Sequence, residues 1–244
     1  KKGLINIDDP YGEDFVKGAA CETFTYGELN EADYRAINIK YSLHGVDFTL
    51  LHEGKEYPVA LNIPGKFTVY NALAAIGTCH LSGFSLEDII KALKSVHTVR
   101  GRFESVPNDK GYLVVVDYAH TPDGLENILS SVKELAEKRV ISVFGCGGDR
   151  DRTKRPIMGE ISGRLADLTI ITSDNPRTED PDKILEDITE GIIKTGSKFI
   201  TEVDRREAIH KALDTAEKGD IIVIAGKGHE TYQIFKDETI HFDD

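Results

Sequence analysis

The sequence predicts an α/β protein whose C-terminal region, residues 99–244, contains a doubly wound, mostly parallel β-sheet. Apolar runs of strand length alternate with helical segments through this region, which is the order found in open α/β sheets. The runs are continuous rather than alternating with polar residues, as expected of parallel strands buried on both faces. Residues 1–98 show a different, mixed pattern, so the sequence predicts a separate domain there.

The first region is expected to be the C-terminal part of an α/β domain. "KKGLINIDDPYG" predicts a strand that leads directly into a helix, with Asp9 as the N-cap and Pro10 at the first helical position. The later segments predict antiparallel strands and then two helices: "FTYGEL", "YRAINIKYSL", "VDFTLLHE" and "YPVALNI", followed by "NALAAIGTCHLSG" and "SLEDIIKALKSV". A chain that begins within a fold is expected to be a fragment.

The second region contains five predicted parallel strands with well-marked helices between them. Thr121, Asp180 and Asp204 are each expected to cap the start of a helix, and the last two helices are expected to end at Gly196 and near Gly219. The strands are "YLVVVDYA", "VISVFGCGG", "LTIITSDN", "FITEVDR" and "DIIVIAGKG". The first two helices carry apolar stripes at helical spacing: Leu125, Ile128, Leu129, Val132 and Leu135, then Ile184, Leu185, Ile188 and Ile192.

Composition restricts the class of function. The formal net charge of -12 over 244 residues argues against a broad nucleic-acid-binding surface. The cysteines Cys21, Cys79 and Cys146 have no metal-ligand spacing and indicate a reducing compartment rather than a disulfide framework. No segment has the length and apolarity of a transmembrane helix, and no signal peptide opens the chain. We therefore expect a cytoplasmic protein without a membrane partner.

Each of four apolar runs ends in polar residues. In an open α/β sheet, ligands bind beyond the carboxyl ends of the strands, so these residues are expected to meet at one edge. They are Asp117 and His120, residues 147–150 with Arg150, residues 173–177 with Asp174 and Arg177, and residues 226–230 with Lys227, His229 and Glu230. Guanidinium groups match carboxylates, and acids match ammonium groups. The set predicts a site for a small ligand that carries both signs of charge.

Simpler interpretations exist for each motif taken alone. In "SDNPR", Asp174 and Asn175 could be turn formers and Arg177 a surface charge. "GCGGDRDR" could provide only a tight turn, since it lacks the GxGxxG spacing, and "GDRDRTKR" could in part be a solvated helix start. "GKGHE" lacks the spacing of a phosphate loop. His120 and His229 could be ordinary polar residues, and Cys146 reads as a small core residue rather than a nucleophile. The joint occurrence of these motifs at successive strand ends favours a site.

The motifs "GRFE", "DYAHTPDGLEN", "FGCGGDRDRTKRPIMG", "TSDNPRTEDP" and "GKGHETYQ", in this order and spacing, resemble the C-terminal half of the Mur ligases that add meso-diaminopimelate. The resemblance covers essentially the whole chain, because "NIDDPYG" and "GKFTVYNALAA" are similar to the end of that family's central ATP-binding domain. It implies a domain boundary between residues 98 and 99. It also implies a Rossmann-like C-terminal domain that binds the acceptor amino acid.

The resemblance implies ATP-dependent amide ligation in peptidoglycan precursor synthesis. A carboxylate of UDP-MurNAc-L-Ala-D-Glu would be phosphorylated from ATP, with Mg²⁺ in the complete enzyme, and an amine of meso-diaminopimelate would attack the acyl phosphate. The family's signature for that amino acid falls on Asp174, Asn175, Pro176 and Arg177, and its other acceptor contacts fall on Arg150, Gly226 and Glu230. The implied partners are these small molecules, with no nucleic acid or membrane, and the protein is expected to be a monomer.

For ATP, the resemblance assigns Asn71 to the adenine and Arg102 and Asp117 to further nucleotide contacts. Thr68 departs from the family, because many relatives have an asparagine there. The phosphate loop, the magnesium ligands and the carbamylated lysine of the family would lie upstream of Lys1. No catalytic residue or metal ligand is therefore assigned, and the chain alone is expected to be inactive.

Two other interpretations stay open at this stage. The chain could be a stand-alone module that binds a zwitterionic amino acid, or a ligase of the same fold with another acceptor such as lysine or glutamate. Arg177 argues against lysine, because lysine lacks the second carboxylate that this residue would hold.

Overall fold

The computed structural model describes residues 1–42, 45–97 and 99–244. The chain forms two compact units, Lys1–Thr98 and Val99–Asp244. Both units are built from helices packed on a β-sheet, so the predicted α/β class is confirmed. Among the described residues, no helix combines the length and the apolar character needed to cross a bilayer.

The first unit contains a five-stranded sheet in the order β1-β2-β3-β4-β5. Its strands are β1 (Lys2–Asn6), β2 (Glu22–Gly27), β3 (Tyr34–Ser42), β4 (Gly45–His52) and β5 (Lys55–Leu61), and its helices are α1 (Gly12–Gly18), α2 (Lys66–Leu81) and α3 (Leu86–Leu93). Strands β3, β4 and β5 pair antiparallel, as predicted. The antiparallel prediction for "FTYGEL" is wrong, because β2 pairs parallel with both β1 and β3. Alternation of polar and apolar residues reports one exposed face and does not fix strand direction.

The predicted start of α1 is also wrong. Helix α1 begins at Gly12, and Tyr11 occupies the N-cap without a side-chain cap bond. The Asp9 side chain instead accepts a hydrogen bond from the Tyr11 amide at 2.9 Å, and the Asp9 carbonyl accepts from the Gly12 amide at 2.8 Å. Aspartate side chains form such local turns as readily as they cap helices, so the helix starts two residues later than the sequence suggests.

The second unit contains a six-stranded sheet in the order β10-β9-β8-β11-β7-β6 and a separate two-stranded hairpin. Its strands are β6 (Glu104–Val106), β7 (Leu113–Asp117), β8 (Val140–Phe144), β9 (Leu168–Thr172), β10 (Phe199–Glu202) and β11 (Ile221–Ala225), with the hairpin strands β12 (Tyr232–Ile234) and β13 (Thr239–His241). Its helices are α4 (Pro122–Leu135), α5 (Lys154–Leu165), α6 (Pro181–Ile193) and α7 (Arg205–Thr215). Strands β7 to β11 are parallel, which confirms the prediction, and the short edge strand β6 is antiparallel to β7.

Burial follows the position of each strand in the sheet. All residues of β8 and β11 are buried, as predicted from their continuous apolar runs. The same prediction is wrong for β10, which is half exposed because it lies at the sheet edge and pairs only with β9. An apolar run cannot by itself show whether a strand has one neighbour or two.

The predicted helix starts in the second unit are confirmed. Thr121, Asp180 and Asp204 each cap a helix, with the side chain accepting a backbone hydrogen bond from the first turn. The predicted end of α7 near Gly219 is wrong, since α7 ends at Thr215. The Asp220 side chain accepts a hydrogen bond from the Glu217 amide at 2.8 Å, so these residues form a turn instead of continuing the helix.

Candidate functional site

The sheet order brings the polar strand ends together. Because β9, β8, β11 and β7 are adjacent and parallel, the loops that follow them lie side by side at the carboxyl edge. These loops contain residues 173–177, 145–150, 226–230 and 117–120, respectively. The second unit therefore has a contiguous polar edge of the kind that the sequence predicts.

The loop after β8 passes in direct contact with the loop after β9. The Gly148 amide donates a hydrogen bond to the Asn175 carbonyl at 2.9 Å, and a Cβ atom at Gly148 would overlap the Pro176 carbonyl oxygen. At Gly147, a Cβ atom would lie 2.8 Å from Arg177 Nη1 and 3.7 Å from Arg150 Cγ. The glycines of "GCGGDR" thus permit close approach of two loops, which a simple turn would not require. They also place both arginine side chains beside Gly147.

Arg177 is half buried and is directed at the loop backbone. Its Nη1 donates to the Gly148 carbonyl at 2.9 Å and to the Asn175 carbonyl at 3.3 Å. In the described part of the chain, its Nε and Nη2 groups have no hydrogen-bond partner, so one edge of the guanidinium is available to a ligand. Arg177 also has a φ of 53°, an uncommon conformation for a residue with a side chain. The surface-charge interpretation of Arg177 does not fit this geometry.

The Asn175 side chain connects three segments and is only 2% exposed. Its Oδ1 accepts hydrogen bonds from Lys227 Nζ at 3.1 Å and from the Ile234 amide at 2.9 Å. Its Nδ2 donates to Glu230 Oε2 at 3.0 Å. Asn175 therefore fixes the loop after β9 to the loop after β11 and to strand β12.

The hairpin formed by β12 and β13 supports this edge and was not predicted. Gln233 Nε2 donates to the Asp174 carbonyl at 2.7 Å, and the Arg177 amide donates to the Ile234 carbonyl at 3.0 Å. The only sequence signal was "TYQ" at the end of the fifth motif, where three residues are too few for a strand prediction. The hairpin holds the backbone on both sides of Asn175.

Asp174 lies beside the turn that begins at Gly226. A Cβ atom at Gly226 would come within 2.8 Å of Asp174 Oδ2, and Gly226 has a φ of 116°, so glycine satisfies both the space and the conformation. Behind this turn, the buried Arg205 pairs with Asp244 at 2.6 Å and donates to the Ala225 carbonyl at 3.1 Å. Burial lowers the pKa of Arg205, but Asp244, Asp174 and Glu230 outweigh it and raise that pKa above its usual value. Arg205 thus counters the negative charge of the site.

The "GDRDRTKR" segment contains a buried residue that sequence reasoning placed near solvent. Arg155 is fully buried, and its guanidinium binds both carboxylate oxygens of Glu179, at 2.9 and 3.0 Å, and Asp187 at 2.8 Å. Glu179 also accepts a hydrogen bond from the Asp149 amide at 2.6 Å. The interpretation of this run as a solvated helix start is wrong for Arg155, which ties α5 to the loop after β9 and to α6.

Asp117 shapes the turn that carries Arg102. Its two carboxylate oxygens accept hydrogen bonds from the Phe103 amide at 2.7 Å and the Ala119 amide at 2.8 Å. Burial raises the pKa of Asp117, although these two amides and the Arg102 charge act in the opposite direction. The structure therefore places Arg102 and Asp117 in one local arrangement, with Asp117 beneath the backbone.

Tyr118 lies at the centre of a ring cluster that sequence reasoning missed. The Arg102 guanidinium carbon is 4.7 Å from its ring centroid, and the rings of His120 and His229 are 4.6 and 4.9 Å away. The Gly101 carbonyl accepts a hydrogen bond from the Tyr118 amide at 2.8 Å. Three motifs, "GRFE", "DYAH" and "GKGHE", thus meet here, and a cation beside planar rings suits a flat, anionic ligand.

Asn71 belongs to the first unit, where its side chain is exposed on α2. The neighbouring Tyr70 hydroxyl donates a hydrogen bond to Asp8 at 3.0 Å, and Asp8 also accepts from three backbone amides of residues 28–30. Thr68 is buried, and its hydroxyl donates to the Pro64 carbonyl at 2.9 Å. The Thr68 hydroxyl therefore forms a local hydrogen bond at the start of α2.

A thiol nucleophile at Cys146 finds no support. Cys146 is buried with its sulfur 3.7 Å from Met158 Sδ, and burial raises the pKa of its thiol to about 12, which agrees with the core interpretation. Within residues 1–42, 45–97 and 99–244, no three carboxylate, imidazole or thiol groups converge to hold a metal ion.

Comparison with known proteins identifies close relatives. The chain matches the Mur ligase middle domain over residues 1–79 and the Mur ligase glutamate ligase domain over residues 101–228. A UDP-N-acetylmuramoyl-L-alanyl-D-glutamate--2,6-diaminopimelate ligase from Clostridium botulinum is 52% identical over 246 residues, and one from Halalkalibacterium halodurans is 49% identical over 244. Each alignment covers 100% of this chain and 50% of the relative, so the chain spans about half the length of these proteins.

Solved structures have the same fold. A structure of a UDP-N-acetylmuramoyl-L-alanyl-D-glutamate--2,6-diaminopimelate ligase superposes with a TM-score of 0.68 at 39% identity and covers 100% of this chain and 51% of that one. A pseudomurein peptide ligase type C from Methanothermus fervidus has a TM-score of 0.75 at 23% identity, with coverage of 93% and 54%. At that identity the likeness concerns the fold alone.

Proposed function

Because the chain belongs to the Mur ligase family, we propose that it is the acceptor-binding half of an ATP-dependent ligase that joins meso-diaminopimelate to UDP-MurNAc-L-Ala-D-Glu. One observation carries this proposal: adjacent loops at one sheet edge hold the Arg177 guanidinium and the Arg150 side chain beside Gly147, together with two carboxylates, Asp174 and Glu230. The relatives that are about 50% identical to this chain are named as 2,6-diaminopimelate ligases, which supports diaminopimelate as the acceptor.

The acceptor site works by matching charges. Arg177 presents the free edge of its guanidinium, with Arg150 beside it, to a carboxylate of diaminopimelate. Asp174 and Glu230 accept hydrogen bonds from ammonium groups. Asn175, Pro176 and Gly226 form the backbone against which the amino acid lies, since they fix the loops after β9 and β11. Lysine offers no second carboxylate to Arg177, so the site disfavours it.

Each unit carries residues that we propose as nucleotide contacts. Asn71 contacts the adenine, Arg102 stabilises phosphate charge, and Asp117 fixes the turn that carries Arg102. Tyr118 adds a ring face for a planar base. ATP supplies the phosphoryl group that activates the carboxylate of the nucleotide-linked peptide. The diaminopimelate amine then attacks the acyl carbon, and phosphate leaves as the amide bond forms.

The phosphoryl transfer itself depends on parts of a longer protein. Magnesium would be held by those parts, where it would neutralise phosphate charge. We propose that the reaction takes place in the cytoplasm, because the cysteine pattern indicates a reducing compartment, and that the enzyme is a monomer with no nucleic-acid or membrane partner. A stand-alone amino-acid-binding module would use the same sheet edge but would not couple binding to ATP.

The test is a ligation assay with a complete protein that contains this chain. Release of ADP and formation of the tripeptide product are measured with meso-diaminopimelate, L-lysine and D-glutamate as acceptors. We expect turnover with diaminopimelate and a kcat/KM at least about 100-fold lower for lysine, since losing a carboxylate partner leaves a site group unpaired. Equal use of lysine would refute the acceptor assignment. Amino-acid binding without ATP hydrolysis would favour the binding module.

A further inference from the structure

Lys227 is fully buried at the acceptor site, although the proposed chemistry gives it no contact with a substrate. It lies between Gly226 and Gly228, which have φ values of 116° and 52°, a conformation that residues with side chains rarely adopt. Burying an ammonium group costs free energy unless the group is paired and hydrogen-bonded. A lysine in this turn therefore depends on specific partners.

The partners of Lys227 are two residues of the acceptor site. Its Nζ lies 3.1 Å from Asn175 Oδ1 and 3.1 Å from Glu230 Oε2, and it is 5.5 Å from the ring centroid of Tyr232. Asn175 Nδ2 donates to the same Glu230 Oε2 at 3.0 Å. Among residues that the structure describes, none forms a hydrogen bond with Glu230 Oε1. Two donors thus hold one carboxylate oxygen and leave the other available at a side chain that is 16% exposed.

We infer that Lys227 is a positioning residue for the acceptor amine, which fixes Glu230 so that Oε1 alone meets an ammonium group of the amino acid. The inference rests on the proposed function, because it takes that amine to be the ligand of Glu230. The Lys227 ammonium group also binds Asn175, which links it to the loop that carries Arg177. Lys227 therefore sets the separation between the amine-binding and carboxylate-binding ends of the site.

The first experiment measures the kinetics of the complete ligase with Lys227→Met, Lys227→Gln and the control Lys218→Met. Lys218 is an exposed residue in the turn before β11, at the opposite end of that strand from the site, so its change removes a charge away from the site. Truncating one partner of a buried charged pair is costly, so we expect Lys227→Met to raise the KM for diaminopimelate about 10- to 100-fold. The KM for ATP should stay within about twofold of the wild-type value. Lys227→Gln keeps hydrogen-bond donors without the charge, so its KM for diaminopimelate should lie between those of the wild type and Lys227→Met. Equal losses for ATP and diaminopimelate would overturn the inference.

A double-mutant cycle asks whether Lys227 acts through Glu230. If it does, Lys227→Met combined with Glu230→Gln should raise the KM for diaminopimelate no further than Glu230→Gln alone. Multiplicative effects of the two changes would show that Lys227 works independently of Glu230, and the inference would be wrong.

A measurement without turnover separates this inference from the proposed function. In NMR spectra of the 244-residue chain, Lys227→Met and Lys227→Gln should shift the Asn175 side-chain amide signals and speed their hydrogen exchange, whereas Lys218→Met should leave them unchanged. Unchanged Asn175 signals in a folded Lys227 variant would overturn the positioning role, whatever the substrate. Shifted signals in an enzyme that ignores diaminopimelate would overturn the proposed function alone. The Gln variant keeps the test decisive should Lys227→Met not fold.

Discussion

Arg177→Ala tests the proposal that this residue binds the distal carboxylate of diaminopimelate. In the structure, Nη1 is committed to two backbone carbonyls, whereas Nε and Nη2 remain for a two-point contact with a carboxylate. Truncating one partner of such a charged pair costs about 2 to 5 kcal/mol when the pair is buried. Because Arg177 is half buried, we expect its removal to cost about 3 to 4 kcal/mol of transition-state binding for diaminopimelate. At about 1.4 kcal/mol per tenfold, this corresponds to a roughly 100- to 1000-fold lower kcat/KM.

The assay compares acceptors on the complete enzyme, with kcat/KM measured for diaminopimelate and for lysine. Loss of the carbonyl contacts affects the loop equally for both acceptors, so only the carboxylate contact changes their ratio. Arg177→Ala should lower kcat/KM for diaminopimelate far more than that for lysine, which loses only what the altered loop costs. Arg177→Lys keeps the charge without the planar fork and should recover part of the loss. Equal losses for both acceptors would show that Arg177 supports the loop or the shared end of the amino acid.

Three other predictions follow from the same geometry. Asp117→Ala should raise the KM for ATP far more than the KM for diaminopimelate, because the carboxylate holds the Phe103 amide beside Arg102. A rise in the KM for diaminopimelate alone would contradict this prediction. When it is supplied with ATP, magnesium and both substrates, the purified 244-residue chain should form no amide product, since phosphoryl transfer depends on positioned groups that lie outside it. Measurable product would refute the prediction. Burial, and then the charge of His52, lowers the pKa of His80, so its neutral form is favoured when folded. The free energy of unfolding should therefore fall as pH drops below about 6.5, where the unfolded histidine gains its proton first, and His80→Gln should flatten this dependence in urea titrations between pH 7 and 5.

The sequence was sufficient to predict the parallel sheet and three helix starts of the second unit because both depend on local pattern. The continuous apolar runs of β8 and β11 and the capping side chains of Thr121, Asp180 and Asp204 each act within a few residues. Strand direction in β2 and the exposure of β10 depend on neighbours elsewhere in the chain, and the predictions failed there.

In the site too, features set by local pattern were predicted and features set by distant contacts were not. Strand ends predicted which loops would meet, but the sequence could not show which charged side chains would be buried. Lys227 binds Asn175, which is 52 positions away, and Arg155 binds Glu179, which is 24 positions away. Such residues resemble surface charges in a one-dimensional pattern, and only the packed structure shows what neutralises them. The role of Arg177 as a ligand contact stays a prediction.

The contact between Gly148 and the Pro176 carbonyl limits how acceptor preference can evolve in this protein. The two loops are separated by space that only a hydrogen atom fills, so no larger residue at Gly148 leaves the Pro176 backbone in place. If the proposed acceptor site is correct, a change of amino-acid preference is expected to come from side chains that extend away from the crossing, such as Arg150 and Arg177. Laboratory evolution of the site should accordingly find its useful variation at those two codons rather than at Gly148.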